Sequence, residues 1–203
     1  MALPEVDPTI LSGNFIAIGV EGRIDPTGLS GLGLAALAKG KVEMFSKIIS
    51  QTGLNSENSL SYDEVDELAY LWLLPRGGLL GEGKLITVGF NVVSLGVPTL
   101  LDNYPKTKSL FSSQVIDLNS ICLTLEGLPN SSGKINKYNG WRKEALRETK
   151  KVLLTLGFKL GKSDLAFGAA QGLLSWVWFR GILNSKLEMN IKNIKETKKG
   201  DGS

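Results

Sequence analysis

Four cations, Lys143, Arg147, Lys150 and Lys151, fall at i, i+4, i+7 and i+8 of one short segment, a spacing that lines them along one side of an α-helix. Lys134 and Lys137 precede them in a stretch rich in Asn, Ser and Gly. Fixed positive charges gathered in this way attract the phosphates of nucleic acid or of anionic lipid, and they perform no covalent chemistry of their own. The imbalance is local: residues 134–162 hold nine basic and two acidic side chains, while the whole chain carries only +3. A second basic cluster, Lys192, Lys195, Lys198 and Lys199, lies near the C-terminus. The competing reading is a solvated helix face in which Glu148 pairs with Lys151, or Glu144 with Arg147, each pair contributing about 0.3 kcal/mol.

Other chemistries find little support. The chain has no histidine, which removes the side chain that most often acts as a general base near neutral pH and the commonest transition-metal ligand. The lone cysteine, Cys122, sits between Ile121 and Leu123 and reads as a buried spectator. Gly31-Leu32-Gly33 matches a relaxed dinucleotide pattern, but Asp25 to Ser30 separate it from the preceding strand, where a true fingerprint follows at once. Gly127 to Lys134 has five residues between its glycines instead of four, and Ile135 stands where a phosphate-cradling loop needs a hydroxyl. Ser131 and Lys134 have the spacing of an acylating pair without its helical setting, and Asn130-Ser131-Ser132 is a glycosylation acceptor only in a secreted chain. Asp63, Glu64, Asp66 and Glu67 fit helix capping better than a hard-cation site. Trp176, Trp178 and Phe179 form an aromatic group suited to core packing or, alternatively, to a partner or lipid interface. No catalytic residue, metal site, cofactor or small-molecule substrate is therefore assigned. An enzyme working through carboxylates alone is the remaining enzymatic alternative.

Several elements must position these groups. Asn14 to Ile24 alternates as a half-buried strand, and Asp25-Pro26-Thr27-Gly28 turns the chain. Leu34, Leu37, Val42, Phe45 and Ile49 recur at spacings of three to five and predict a helix over 29–50, weakened by Gly40. A second helix is expected to start at the N-cap Ser61 and to end before Pro75. Alternation predicts strands over 84–95, 115–125 and 152–160, the last following directly on a charged helix from Trp141 to Lys151 that Asn139 could cap. Over 164–185 the pattern is ambiguous, since Leu173 to Phe179 reads as a fifth strand or as part of a buried helix.

With 203 residues, 42% of them hydrophobic, the chain can bury a sizeable core. The expected fold is α+β: a single domain over 1–185, with a mostly antiparallel sheet carrying three or more helices, and a Lys-rich mobile tail over 186–203. Met1 to Ile10 hold Glu5 and Asp7 and no basic leader, so no secretory signal is expected. The uncharged runs 85–101 and 165–179 fall short of a membrane span and read as core. An intracellular location follows as the expectation: cytoplasmic, at a membrane periphery, or in a virion.

In element order and texture, Phe15 to Ala38 (FIAIGVEGRIDPTGLSGLGLAALA), Ile121 to Gly127 (ICLTLEG) and Trp141 to Gly161 (WRKEALRETKKVLLTLGFKLG) resemble matrix proteins of rhabdoviruses. That resemblance covers about a quarter of the chain and implies an α+β protein that self-associates as a homo-oligomer, condenses nucleoprotein and bridges it to an anionic membrane surface. The long basic N-terminus and proline-rich motif of animal-infecting members are missing. The expected role is non-enzymatic assembly. The alternative is a sequence-independent nucleic-acid-binding module whose partner is RNA.

Overall fold

The alternation that begins at Ile16 forms the central strand β1 (Ile16–Ile24), with Ile18 and Val20 buried. A computed structural model describes residues 16–24, 29–38, 41–50, 60–77, 85–90, 101–129, 133–158 and 165–200. On one side β1 pairs antiparallel with β2 (Leu29–Ala38), which pairs antiparallel with β3 (Lys41–Ser50). On the other it pairs parallel with β4 (Leu85–Gly89), which pairs parallel with β5 (Phe111–Asp117). The order is β3-β2-β1-β4-β5. The expected α+β single domain with helices on a sheet holds. Where mostly antiparallel pairing was expected, the sheet is mixed, because the chain enters β4 after β2, β3 and a helix, and enters β5 after a further helix, where a hairpin would have set neighbouring strands antiparallel.

Helices cover both faces. Leu32, Leu34 and Ala36 of β2 project with Ile18 and Val20 towards α1 (Tyr62–Gly77), whose Val65, Ala69 and Leu73 complete one core with Tyr104, next to the short α2 (Pro105–Ser109). Ala35 and Val42 point the opposite way, onto α5 (Leu165–Gly200) and the end of α4 (Tyr138–Thr155). A third cluster joins Val88 to Leu118 and Cys122 of α3 (Leu118–Thr124), Trp141 of α4 and Phe179 of α5.

The glycines of β1 and β2 let α5 approach closely. A Cβ added at Gly19 would lie 2.0 Å from the Ala169 carbonyl oxygen, and one at Gly33 would lie 2.3 Å from the Leu165 carbonyl carbon. Gly31-Leu32-Gly33 is thus a seat for a helix on a strand.

Four sequence expectations are corrected. In place of the helix expected over 29–50, residues 29–38 and 41–50 form two strands: with Leu32 and Leu34 on one face and Gly31 and Gly33 on the other, the working period is two, and only two positions of sequence separate the paired ends Ala38 and Lys41. The strand expected over 115–125 stops at Asp117, whose carboxylate accepts from the Asn119 amide at 3.2 Å and starts α3. The strand expected over 152–160 is instead the last turn of α4 and its stop. There the amides of Gly157 and Phe158 donate to the carbonyls of Leu154 and Leu153 at 3.0 and 3.1 Å, with Gly157 at φ 87°. Helix α1 runs through Pro75 to Gly77, since a proline in the last turn removes only one backbone bond.

The expected strand over 84–95 is realised as β4 through Gly89, and residues 91–95 lie outside the described residues. Residues 165–185 are helical throughout, and the backbone of the Lys-rich stretch continues as the same helix to Gly200.

Candidate polyanion-docking face

Helix α4 is held by α3 on one side and by α5 on another. Trp141, fully buried, donates its indole N–H to the Leu125 carbonyl at 2.7 Å, tying the helix to the end of α3. The Tyr138 hydroxyl meets Asn119 Oδ1 at 2.7 Å, and Gln171 of α5 donates to the Leu146 carbonyl at 3.1 Å. Trp178 lies against Trp141 with ring centroids 6.2 Å apart. Trp141, Ala145, Thr149 and Leu153 thus form the inward stripe, and Thr149 satisfies its buried hydroxyl on the Ala145 carbonyl at 2.8 Å.

That anchoring leaves the opposite side to solvent. Lys143, Arg147, Lys150 and Lys151 are all exposed and, at 100° per residue, span about 100° of arc. Lys134 and Lys137 are exposed just before the helix, and Lys137 is its N-cap, without a side-chain cap bond; Asn139 lies inside the helix instead of capping it. Cations at a helix N-terminus oppose the macrodipole, so helix stability does not account for them there.

Glu148 tempers this face. It accepts from Arg147 Nε at 2.8 Å and from Lys151 Nζ at 3.0 Å. The bonds from Lys151 and Arg147 hold its carboxyl below the ordinary glutamate range. The face therefore keeps a net of three positive charges from four cations and one carboxylate. Lys143 and Lys150 form no ion pair with another described residue. Glu144 does not join Arg147: it turns inward, is buried, and accepts from Asn136 Nδ2 at 3.1 Å. Arg142 also leaves the cationic face, its guanidinium lying over the Phe90 ring at 5.4 Å.

Contacts of Trp141 with Trp178 and of Leu146 with Gln171 make α4 and α5 antiparallel. Helix α5 therefore continues past the start of α4, where Lys134 and Lys137 lie, and its backbone carries Lys192, Lys195, Lys198 and Lys199 in that direction. The side chains beyond Ser185, together with Lys159 and Lys162, lie outside the described residues.

The remaining candidates resolve into structural roles. Glu64 and Ser61 bond reciprocally, with Ser61 N donating to Glu64 Oε2 at 2.8 Å and Glu64 N to Ser61 Oγ at 3.2 Å. Those bonds lower the Glu64 carboxyl. Asp66 accepts the Lys106 and Thr107 amides at 2.9 and 2.8 Å, and Glu67 pairs with Lys106, so these carboxylates point to different tasks. Cys122 is buried, and desolvation pushes its thiol up to about 11, far from a reactive thiolate. Phe179 is fully buried, Trp178 packs edge-on against it at 5.1 Å, and Trp176 lies under Arg180 at 5.5 Å. Pro129 and Ile135 bridge across the loop after Gly127, whose Ser131 lies outside the described residues.

Among the described residues no three His, Cys, Asp or Glu side chains gather as a metal site, and no helix is long and apolar enough to cross a membrane. No protein-family model matches the chain, and no curated protein matches it. Sequence reasoning missed one feature, an exposed leucine stripe on α1 formed by Leu68, Leu71 and Leu74. Its signal was the spacing of three between these leucines on a helix whose opposite side is also apolar.

Proposed function

We propose that this protein is a non-enzymatic assembly protein that docks a polyanion on the outer face of α4, in the manner of a viral matrix protein that holds nucleoprotein against an anionic membrane and associates with itself. One observation carries the reading: four cations share the solvent side of a helix whose other side is locked into the core. A rigid helix presents such charges with little reorganisation, and the field favours phosphates without selecting a base sequence. The reading stands on that face and not on the resemblance to rhabdovirus matrix proteins, whose element order includes a helix over 29–50 and strands over 115–125 and 152–160, where the chain instead forms two strands, a strand that ends at Asp117 and the end of a helix.

Co-sedimentation with single-stranded RNA and with phosphatidylserine vesicles, at about 50 mM salt and at several-fold higher salt, tests it. Binding to both, weakened by salt and weakened in Lys143→Glu/Lys150→Glu, is the expected result. Binding to RNA with no binding to vesicles would select the nucleic-acid module instead. Binding to neither at low salt would remove the polyanion role.

A further inference from the structure

The outer face of α1 has the same periodic layout as the outer face of α4 with the opposite charge. Along α1, exposed Glu64, which caps Ser61, and half-exposed Glu67, which pairs with Lys106, come first and leave a net of one negative charge, and exposed Leu68, Leu71 and Leu74 follow. Along α4, exposed Lys143, Arg147, Lys150 and Lys151 come first, and exposed Leu154 follows. Leu71 is 52% exposed and Leu154 45%, so neither is covered by the described residues. The two helices lie over opposite faces of the sheet, so one copy cannot bring its own faces together.

We propose that the outer face of α1 binds the outer face of α4 on a second copy of this chain, with the two helices parallel. The order of the side chains sets the direction. In parallel, Glu64 and Glu67 oppose Arg147 and Lys150 while Leu71 opposes Leu154. In antiparallel, leucines would face cations and carboxylates would face leucines. The lysine and arginine stems add aliphatic cover over Leu68.

Charge complementarity selects the occupant. Two α1 faces would set carboxylates against carboxylates, and two α4 faces would set cations against cations. Each copy therefore offers one surface of each kind, and the contact is heterologous: it leaves a free α1 at one end and a free α4 at the other. A single helix-on-helix contact is small, so the association is concentration-dependent and reversible. The inference extends the self-association named in the assembly reading, and its test separates oligomerisation from polyanion binding.

The test is sedimentation velocity on the nucleic-acid-free full chain over a wide concentration range, with Leu71→Asp and Lys143→Glu/Lys150→Glu as variants and near-ultraviolet circular dichroism to verify folding. Wild type should grow beyond a dimer as concentration rises. Each variant alone should associate at least about tenfold more weakly. An equimolar mixture should form a dimer that grows no further, because only the α4 face of the first variant and the α1 face of the second remain intact. Leu68→Asp, a second exposed position on the stripe, should repeat the behaviour of Leu71→Asp. A monomeric wild type, a variant that associates as wild type does, or a mixture that stays monomeric would each overturn the interface. Leu71→Asp should keep full RNA binding, so loss of self-association there with RNA binding intact supports the interface independently of the polyanion role.

Discussion

Glu21 projects from β1 beneath α5, where a Cβ on Gly168 would lie 3.1 Å from its Cγ. Burial raises its carboxyl above the usual 4.5. The folded protein thus holds this proton more tightly than the unfolded chain. The group's contribution is most favourable below 4.5 and becomes a penalty as pH rises through the higher folded value. Glu21→Gln should therefore be more stable than wild type at neutral pH, with the difference shrinking on acidification, as read from urea midpoints against pH. Ser61 allows a second residue-scale prediction. Its reciprocal bonds with Glu64 satisfy free amides at the start of α1, so Ser61→Ala should cost about 1 kcal/mol in chemical denaturation. That cap was legible in the sequence because it is local. The burial of Glu21 was not, because it depends on a helix more than 140 positions away.

At the scale of elements, the packing of α5 on β1 and β2 rests on missing side chains. Gly33→Ala would place a methyl group 2.3 Å from the α5 backbone, and backbone cannot yield as a side-chain tip can. The variant should lose about 3 kcal/mol, measured by urea unfolding. Gly157→Ala is the contrast. A methyl there meets nothing within 4 Å, so its cost is the left-handed backbone alone, about 1 kcal/mol on the same measurement. Gly31-Leu32-Gly33 was readable as a glycine pattern, but its partner was not, because the sequence does not say which element passes over it. The α4 face was more legible, since Lys143, Arg147, Lys150 and Lys151 depend only on helical period. The pairing of Glu148 with both Arg147 and Lys151 is local as well, whereas the inward turn of Glu144 required Asn136 in position.

For the whole molecule, the two faces of the sheet separate charge. Helix α1, which presents Asp63 and Glu64 to solvent while Glu67 pairs with Lys106, covers one side, and the basic outer face of α4 lies on the other. Polyanion binding through about four cations should give log K against log salt a slope of about −3 for single-stranded RNA. Lys143→Glu/Lys150→Glu should flatten that slope, and Leu71→Asp should leave it unchanged, in filter-binding titrations across salt. Because RNA and the α1 face of a neighbour meet the same cations, RNA added in excess should disperse the self-associated protein in sedimentation velocity.

By itself the sequence determined the features that short-range periodicity encodes: the strand at Ile16, the cap at Ser61, the helix containing Trp141 and the charges along its side. Each depends on neighbours within about two turns. Tertiary structure decided the rest. Residues 29–50 carry apolar side chains at helical spacing, yet they pair as strands because β1 supplies a partner and α5 fills the groove over their glycines. Residues 152–155 alternate, yet they close a helix because Leu153 enters the core beside Phe167 and Gly157 stops the chain there. A short apolar run permits either period, and only the surface that it is buried against selects one.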